Sequence, residues 1–66
     1  MRDPKRLCDA YDEILRLHMI YMPDIRIGQF WCNFIQWFNR VYRRDIFYVE
    51  DSEILKYMKI FVGEEE

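Results

Sequence analysis

Residues 25–42 read IRIGQFWCNFIQWFNRVY, and the placement of their apolar side chains decides the architecture. Ile27, Phe30, Trp31, Phe34, Ile35, Trp37, Phe38 and Val41 recur at the three- and four-residue spacing of an α-helix. They cover well over half of the helix circumference, whereas a surface helix carries a narrower apolar stripe. The spacing therefore predicts a helix over 25–42 that is either central or half covered by another chain. What stays polar is one line, Gln29, Asn33, Gln36 and Arg40, continued by Arg43. Gly28 near the start weakens a helix, so close approach of another backbone is the expected compensation.

On the N-terminal side, Pro23 ends a preceding helix, because the residue before a proline is pushed out of the α region. Asp24 is then the candidate cap of the helix that follows. The preceding helix is expected over 4–21. Asp3 is its cap and Pro4 its first helical residue, with Leu7, Tyr11, Ile14, Leu15, His18 and Met22 as its inward face. Lys5, Asp9, Asp12, Glu13 and Arg16 occupy the other side.

On the C-terminal side, Arg43-Arg44-Asp45 reads as a loop. Ile46-Phe47-Tyr48-Val49 reads as a short extended run, either a connector packed on the core or a strand pairing with a second copy. Glu50-Asp51-Ser52 supplies caps and negative charge for a third helix over 52–62. Its apolar face is Ile54, Leu55, Met58, Phe61 and Val62, and Gly63 suits the position just past its end. Glu64-Glu65-Glu66 completes an acidic, solvated tail over 63–66. The predicted fold is mainly α: one small three-helix domain over 1–66, with a short extended segment between the second and third helices.

A chain of 66 residues makes one domain with little surface to bury. Heavy core residues compensate, namely five Phe, five Tyr, two Trp and four Met. Self-association, as a homodimer, is the second expected route to burial. The net charge of -2 hides an asymmetry. Residues 1–44 hold eight Lys/Arg against five Asp/Glu, and residues 45–66 hold two against seven. An acidic end on a mildly basic body hints at a partner and argues against a dedicated DNA-binding domain. The charged opening Met1 to Arg6 does not read as a signal peptide, and no run spans a bilayer. A soluble cytoplasmic protein with no membrane partner is the expectation.

Signs of chemistry are sparse. With Gly28 and Gly63 as the two glycines, no phosphate-cradling loop exists. His18, the one histidine, sits on the apolar face and reads as a core or edge residue making one hydrogen bond. Cys8 and Cys32 lack CxxC spacing and read as buried small hydrophobes, with an inter-helix disulfide or a reactive thiol as alternatives. Cys8, His18 and Cys32 together have no zinc-ligand spacing. Adjacent Glu50 and Asp51 suit capping better than acid/base work. No catalytic residue, metal ligand or cofactor is expected.

The candidate site is therefore a binding surface on the second helix. Gln29, Asn33, Gln36 and Arg40 line one face, and uncharged amides there can specify a partner. Trp37, Phe38 and Tyr42, with Trp31, are the expected anchors, since aromatic and Arg residues dominate interface energetics. Arg40, Arg43 and Arg44 around Tyr42 form a basic aromatic cluster, whose alternative reading is phosphate contact by a small nucleic-acid-binding regulator. A helix-turn-helix is not expected: the third helix exposes Glu53, Lys56 and Lys59, and the loop before it is too long.

Three stretches carry a resemblance. Met1-Arg2-Asp3-Pro4-Lys5-Arg6, Pro23-Asp24-Ile25-Arg26-Ile27-Gly28-Gln29 and Phe47-Tyr48-Val49-Glu50-Asp51 resemble the spaced anchors RDPKRI, PDLRxGQ and FYxED. These mark a group of short bacterial and phage proteins of unknown function. The resemblance spans nearly the whole chain. It implies a cytosolic accessory protein, often encoded on a mobile element, and brings no catalytic residues. Phe30, Trp31, Trp37 and Phe38 depart from the pattern and are expected to mark a partner surface. The combined expectation is a non-enzymatic, self-associating interaction module, for instance a phage-type inhibitor of a host defence or regulatory protein.

Overall fold

The computed structural model describes residues 2–65. Three helices follow one another: α1 (Arg6–Tyr21), α2 (Ile27–Tyr42) and α3 (Asp51–Val62). A 3-10 turn over Ile46–Tyr48 joins α2 to α3, and the described residues contain no strand. The protein is a small, mainly α domain, as its periodicity indicates.

The ends of the helices have local causes. Before α1, Asp3 Oδ1 accepts the Lys5 N–H at 2.9 Å, and the N–H groups of Arg6, Leu7 and Cys8 bond three residues back. Those tight bonds delay α1 to Arg6, so Pro4 lies in the lead-in turn rather than in the helix. Helix α2 starts at Ile27, two residues later than expected. Gln29 Oε1 accepts the Arg26 N–H at 3.1 Å there, and Asp24 does not cap. Between the helices, the Ile25 carbonyl lies 2.6 Å from His18 Nε2, which must therefore carry the proton. The His18 ring stacks on Phe30 with centroids 4.4 Å apart, so the one histidine ties the α1–α2 turn to the core.

The expected extended run at 46–49 is instead the 3-10 turn. Asp45 Oδ1 accepts the Phe47 N–H at 2.9 Å, and the Val49 N–H reaches the Ile46 carbonyl at 3.1 Å. A side chain offering the backbone a local acceptor competes with extended pairing. No strand is left to pair with a second copy. At the end of α3, Gly63 takes φ +93°, a conformation that costs glycine little. The N–H groups of Gly63 and Glu64 then close on Ile60 and Lys59.

Phe30, Phe34 and Phe38 of α2 are fully buried, with Leu17 of α1 and Met58 of α3. Burying each such side chain stabilises by roughly 1.5–3 kcal/mol. Helix α2 is thus central on one face, and Trp37 and Phe61 close over Phe34 at 6.0 and 5.6 Å. Helices α1 and α3 run parallel, because Arg6 bonds Asp51 near their starts and Arg16 bonds Glu64 near their ends.

Helix α1 is rotated from its expected setting. Its buried residues are Ala10 and Leu17, while Leu7, Tyr11 and Leu15 are exposed. Ile14, His18 and Met22 of the expected face do pack inward, so the face is shifted by part of a turn, which costs it Leu7, Tyr11 and Leu15 and adds Ala10 and Leu17. Arg6 reaches Asp51 at the start of α3 and Arg16 reaches Glu64 just past its end, so the side of α1 that carries them turns toward α3, with Ala10 and Leu17 inward. Two further expectations fail with it. Cys8 and Cys32 are free thiols, both exposed rather than buried. A Cβ on Gly28 would meet nothing within 4 Å, so no neighbouring backbone explains that glycine.

The acids of the second half serve the fold. Glu50 bonds Arg2, Asp51 bonds Arg6 and Arg44 faces Glu53; Glu50 stands at the N-cap of α3 without a side-chain bond to it, while Asp51 and Glu53 place the expected negative charge in its first turn. Glu64 is not solvated tail: both its oxygens accept from Arg16, at 2.9 and 2.7 Å, and Tyr21 donates its hydroxyl to one of them. Arg16 also pairs with Glu13. Arg16, and next Tyr21, hold the Glu64 carboxyl below its usual value, and Glu64 in turn raises the Tyr21 hydroxyl. The expected tail residue Glu66 lies outside the described residues.

Candidate functional site

Side chains on α2 separate into two groups. Gln29, Asn33, Gln36 and Arg40 are all exposed and share one side of the helix, as their spacing requires. Gln29 is partly committed, since its side-chain oxygen closes the start of α2. The expected aromatic anchors are not beside them. Phe38 is fully buried, so it belongs to the core and offers nothing to a partner. Trp37 is half-buried, with Phe61 at 5.3 Å and Tyr42 at 5.6 Å. Tyr42 is half-buried against Phe38 and Tyr57, at 5.2 and 4.6 Å. These three rings are held by the domain itself, because the inward stripe of α2 is wide enough to need them for its own cover.

The three arginines at the end of α2 differ in what holds them. Arg43 ends α2 in the left-handed region at φ 57°, its N–H on the Asn39 carbonyl at 2.9 Å. The Arg44 carbonyl accepts from the Asn39 side chain at 3.3 Å, and its guanidinium faces Glu53 at 3.6 Å. Arg40 and Arg43 make no ion pair among the described residues, which leaves two exposed cations for any phosphate contact.

The larger apolar surface lies on α1, where it was not expected. Tyr11, Leu15 and Met19 are 64%, 56% and 63% exposed and sit at successive four-residue steps. Single exposed hydrophobes are ordinary, but a line of three on one helix face is not. Met19 also shares a shallow depression with Ile27, itself 71% exposed, which carries the apolar surface across to the start of α2. The turn before α3 adds Phe47 and Tyr48, at 80% and 78% exposed, in edge-to-face contact at 5.0 Å.

Beside this strip, a surface pocket of about 150 Å³ opens between the helices. Leu7, Ala10, Tyr11 and Ile14 of α1, Trp31 of α2, and Ile54 and Leu55 of α3 form its walls. Its one charged lining group is Asp51, already bonded to Arg6 at 2.9 Å. The wall holds no nucleophile–base pair. Among the described residues no group of three or more His, Cys, Asp or Glu is placed to hold a metal ion. No helix among them is long and apolar enough to cross a membrane. The arrangement can bind apolar side chains.

A signal for the α1 strip exists in the sequence. Tyr11, Leu15 and Met19 are a clean four-residue series, and Ala10 and Leu17 offer a second apolar side away from it. Choosing between the two sides requires knowing where Arg6 and Arg16 find their acids. No protein-family model, no curated protein and no solved structure matches the chain.

Proposed function

We propose that the chain is a non-enzymatic protein–protein interaction module that presents the outer face of α1 to an apolar groove on a partner. The exposure of Tyr11, Leu15 and Met19 in one line carries this reading, because burying them gains free energy that the isolated domain leaves unused. Such a module acts by occupancy, in the manner of a small inhibitor or adaptor, and needs no chemistry of its own.

A double variant tests it. Leu15→Glu with Met19→Glu changes two exposed positions, so the urea midpoint should shift by little, within about 0.5 kcal/mol per site. The proteins that co-purify stoichiometrically with the wild-type chain from its native cells should be absent from the variant. Retention of the same proteins by a well-folded variant would overturn the reading. Nucleic acid in their place, leaving as salt is raised, would replace it with the regulator reading based on Arg40 and Arg43.

A further inference from the structure

Helix α2 carries no acid on the side that the core leaves open. Residues 25–44 hold four arginines and no Asp or Glu; every acid of the chain lies before or after them. Five of those acids, Glu13, Glu50, Asp51, Glu53 and Glu64, are already held in ion pairs. Of the four arginines, Arg44 faces Glu53. Arg26, Arg40 and Arg43 are exposed and make no ion pair among the described residues. The local charge on α2 is therefore positive, although the whole chain stands at -2.

Between these cations stand Gln29, Asn33 and Gln36, all exposed. The face is poorly suited to a helix that meets only water. Gly28 and Asn33 are weak helix formers, and no ion pair along α2 offsets them. Such breaks of local rule are expected at functional surfaces. Gly28 and Cys32, exposed one turn apart, add no bulk beside the row, and a Cβ on Gly28 would meet nothing within 4 Å. The chemistry of the row selects its occupant. Asn and Gln side chains pair with base edges through two hydrogen bonds, and the major groove of B-DNA admits a helix. From Gln29 to Gln36 the helix rises about 10 Å, the length of roughly three base pairs. An acidic protein surface would answer the arginines but gives the amide row no matching edge.

We propose that the outer face of α2 docks in the major groove of duplex DNA, with Gln29, Asn33 and Gln36 toward base edges and Arg26, Arg40 and Arg43 on phosphates. This goes beyond the interaction-module reading and uses none of Tyr11, Leu15 and Met19. DNA and a protein partner are then held by two different helices.

Fluorescence anisotropy of a labelled random-sequence duplex with the full chain tests it. The wild type should bind with a Kd of about 10–100 µM near 50 mM salt, and log K should fall against log salt with a slope of about -2.7, the value for three phosphates. Arg40→Ala with Arg43→Ala should cut affinity by about tenfold or more and bring the slope to about -0.9. Its helical circular dichroism should not change, since both side chains are exposed. Selection from a random duplex pool should enrich a preferred core, and Gln36→Ala should relax it at one base pair by about tenfold. No binding at low salt, or a slope unchanged in the arginine variant, overturns the inference. A selection without preference overturns it too, as does duplex RNA bound as tightly as DNA, because the RNA major groove is too narrow for a helix. Poly-glutamate that displaces the duplex as well as unlabelled DNA does would overturn it in favour of an acidic protein. The arginine variant should keep any protein that the α1 strip holds, so the two readings fail separately.

Discussion

Phe30, Phe34 and Phe38 on α2 and Tyr11, Leu15 and Met19 on α1 share one spacing and one apolar character. The first three have no exposure, and the second three are more than half exposed. The difference lies in what stands across from them. Helix α2 faces Leu17 and Met58, with Phe61 closing over it. Helix α1 is turned by its pairs to α3, Arg6 with Asp51 and Arg16 with Glu64, so its more aromatic side looks outward. Periodicity identifies a stripe; neighbours decide whether it is core.

The sharpest break would come from Phe34→Ala. Removing a fully buried ring costs about 3–5 kcal/mol, and a domain of this length holds roughly 3–10 kcal/mol in all. The variant should lose most or all of its cooperative urea transition by circular dichroism. A variant that melts like the wild type would show that the α2 stripe is not the core.

Two leucines on α1 give a finer comparison. Leu17 is fully buried and Leu15 is 56% exposed. Leu17→Ala should cost about 2–5 kcal/mol and Leu15→Ala no more than about 0.5 kcal/mol. Equal costs, or the reverse order, would return α1 to the orientation that its periodicity first predicts.

The two glycines divide in the same way. Gly63 holds φ +93° at the end of α3, so Gly63→Ala should destabilise by about 1–2 kcal/mol. Gly28 sits in the first turn of α2 with open space around it, so Gly28→Ala should stabilise by about 0.5 kcal/mol. Thermal melts of the two variants should therefore move in opposite directions.

The smallest effect concerns the clamp that turns α1. The Glu64 carboxyl is held below its usual value of 4.5, first by Arg16 and then by Tyr21. As pH falls, the unfolded chain takes up that proton first. The contribution of Glu64 is thus complete above about 4.5 and fades as pH drops through its lower folded value. Wild type and Glu64→Gln should differ in urea midpoint near neutrality and converge in acid. A gap that stays constant would mean that Arg16 and Glu64 do not set the rotation through charge.

What could be read from the chain and what could not follow one distinction. Local signals succeeded: three helices, the stop at Pro23, the glycine cap at Gly63 and the single hydrogen bond of His18 all depend on neighbours in sequence. The rotation of α1 and the role of Glu64 depend on partners 45 and 48 residues away, beyond any spacing rule. Cys32 lies two residues before Phe34, about half a turn around α2, so it faces outward once Phe34 faces in; an apolar neighbourhood in sequence concealed this. Trp37, Phe38 and Tyr42 were attractive as anchors because of residue type, yet a chain this small uses its rings as core. Tyr11 and Leu15 were in plain view but assigned to the inward face, and Met19, which continues their line, was assigned to neither side.

The parallel pairing of α1 with α3 also orders events in time. The ion pairs of α1 with Asp51 and Glu64 close only over the whole length between them, whereas α1 meets α2 through His18 and Phe30 across residues 22–26 and α2 meets α3 across residues 43–50. Loop closure grows costlier with length, so the rings around Phe30 and Phe34 should assemble first and the α1–α3 ion pairs should form last. Arg16→Ala would then leave the refolding rate nearly unchanged and speed unfolding, while Met58→Ala would slow refolding. Slow refolding in the Arg16 variant would place the α1–α3 pairing in the nucleus instead.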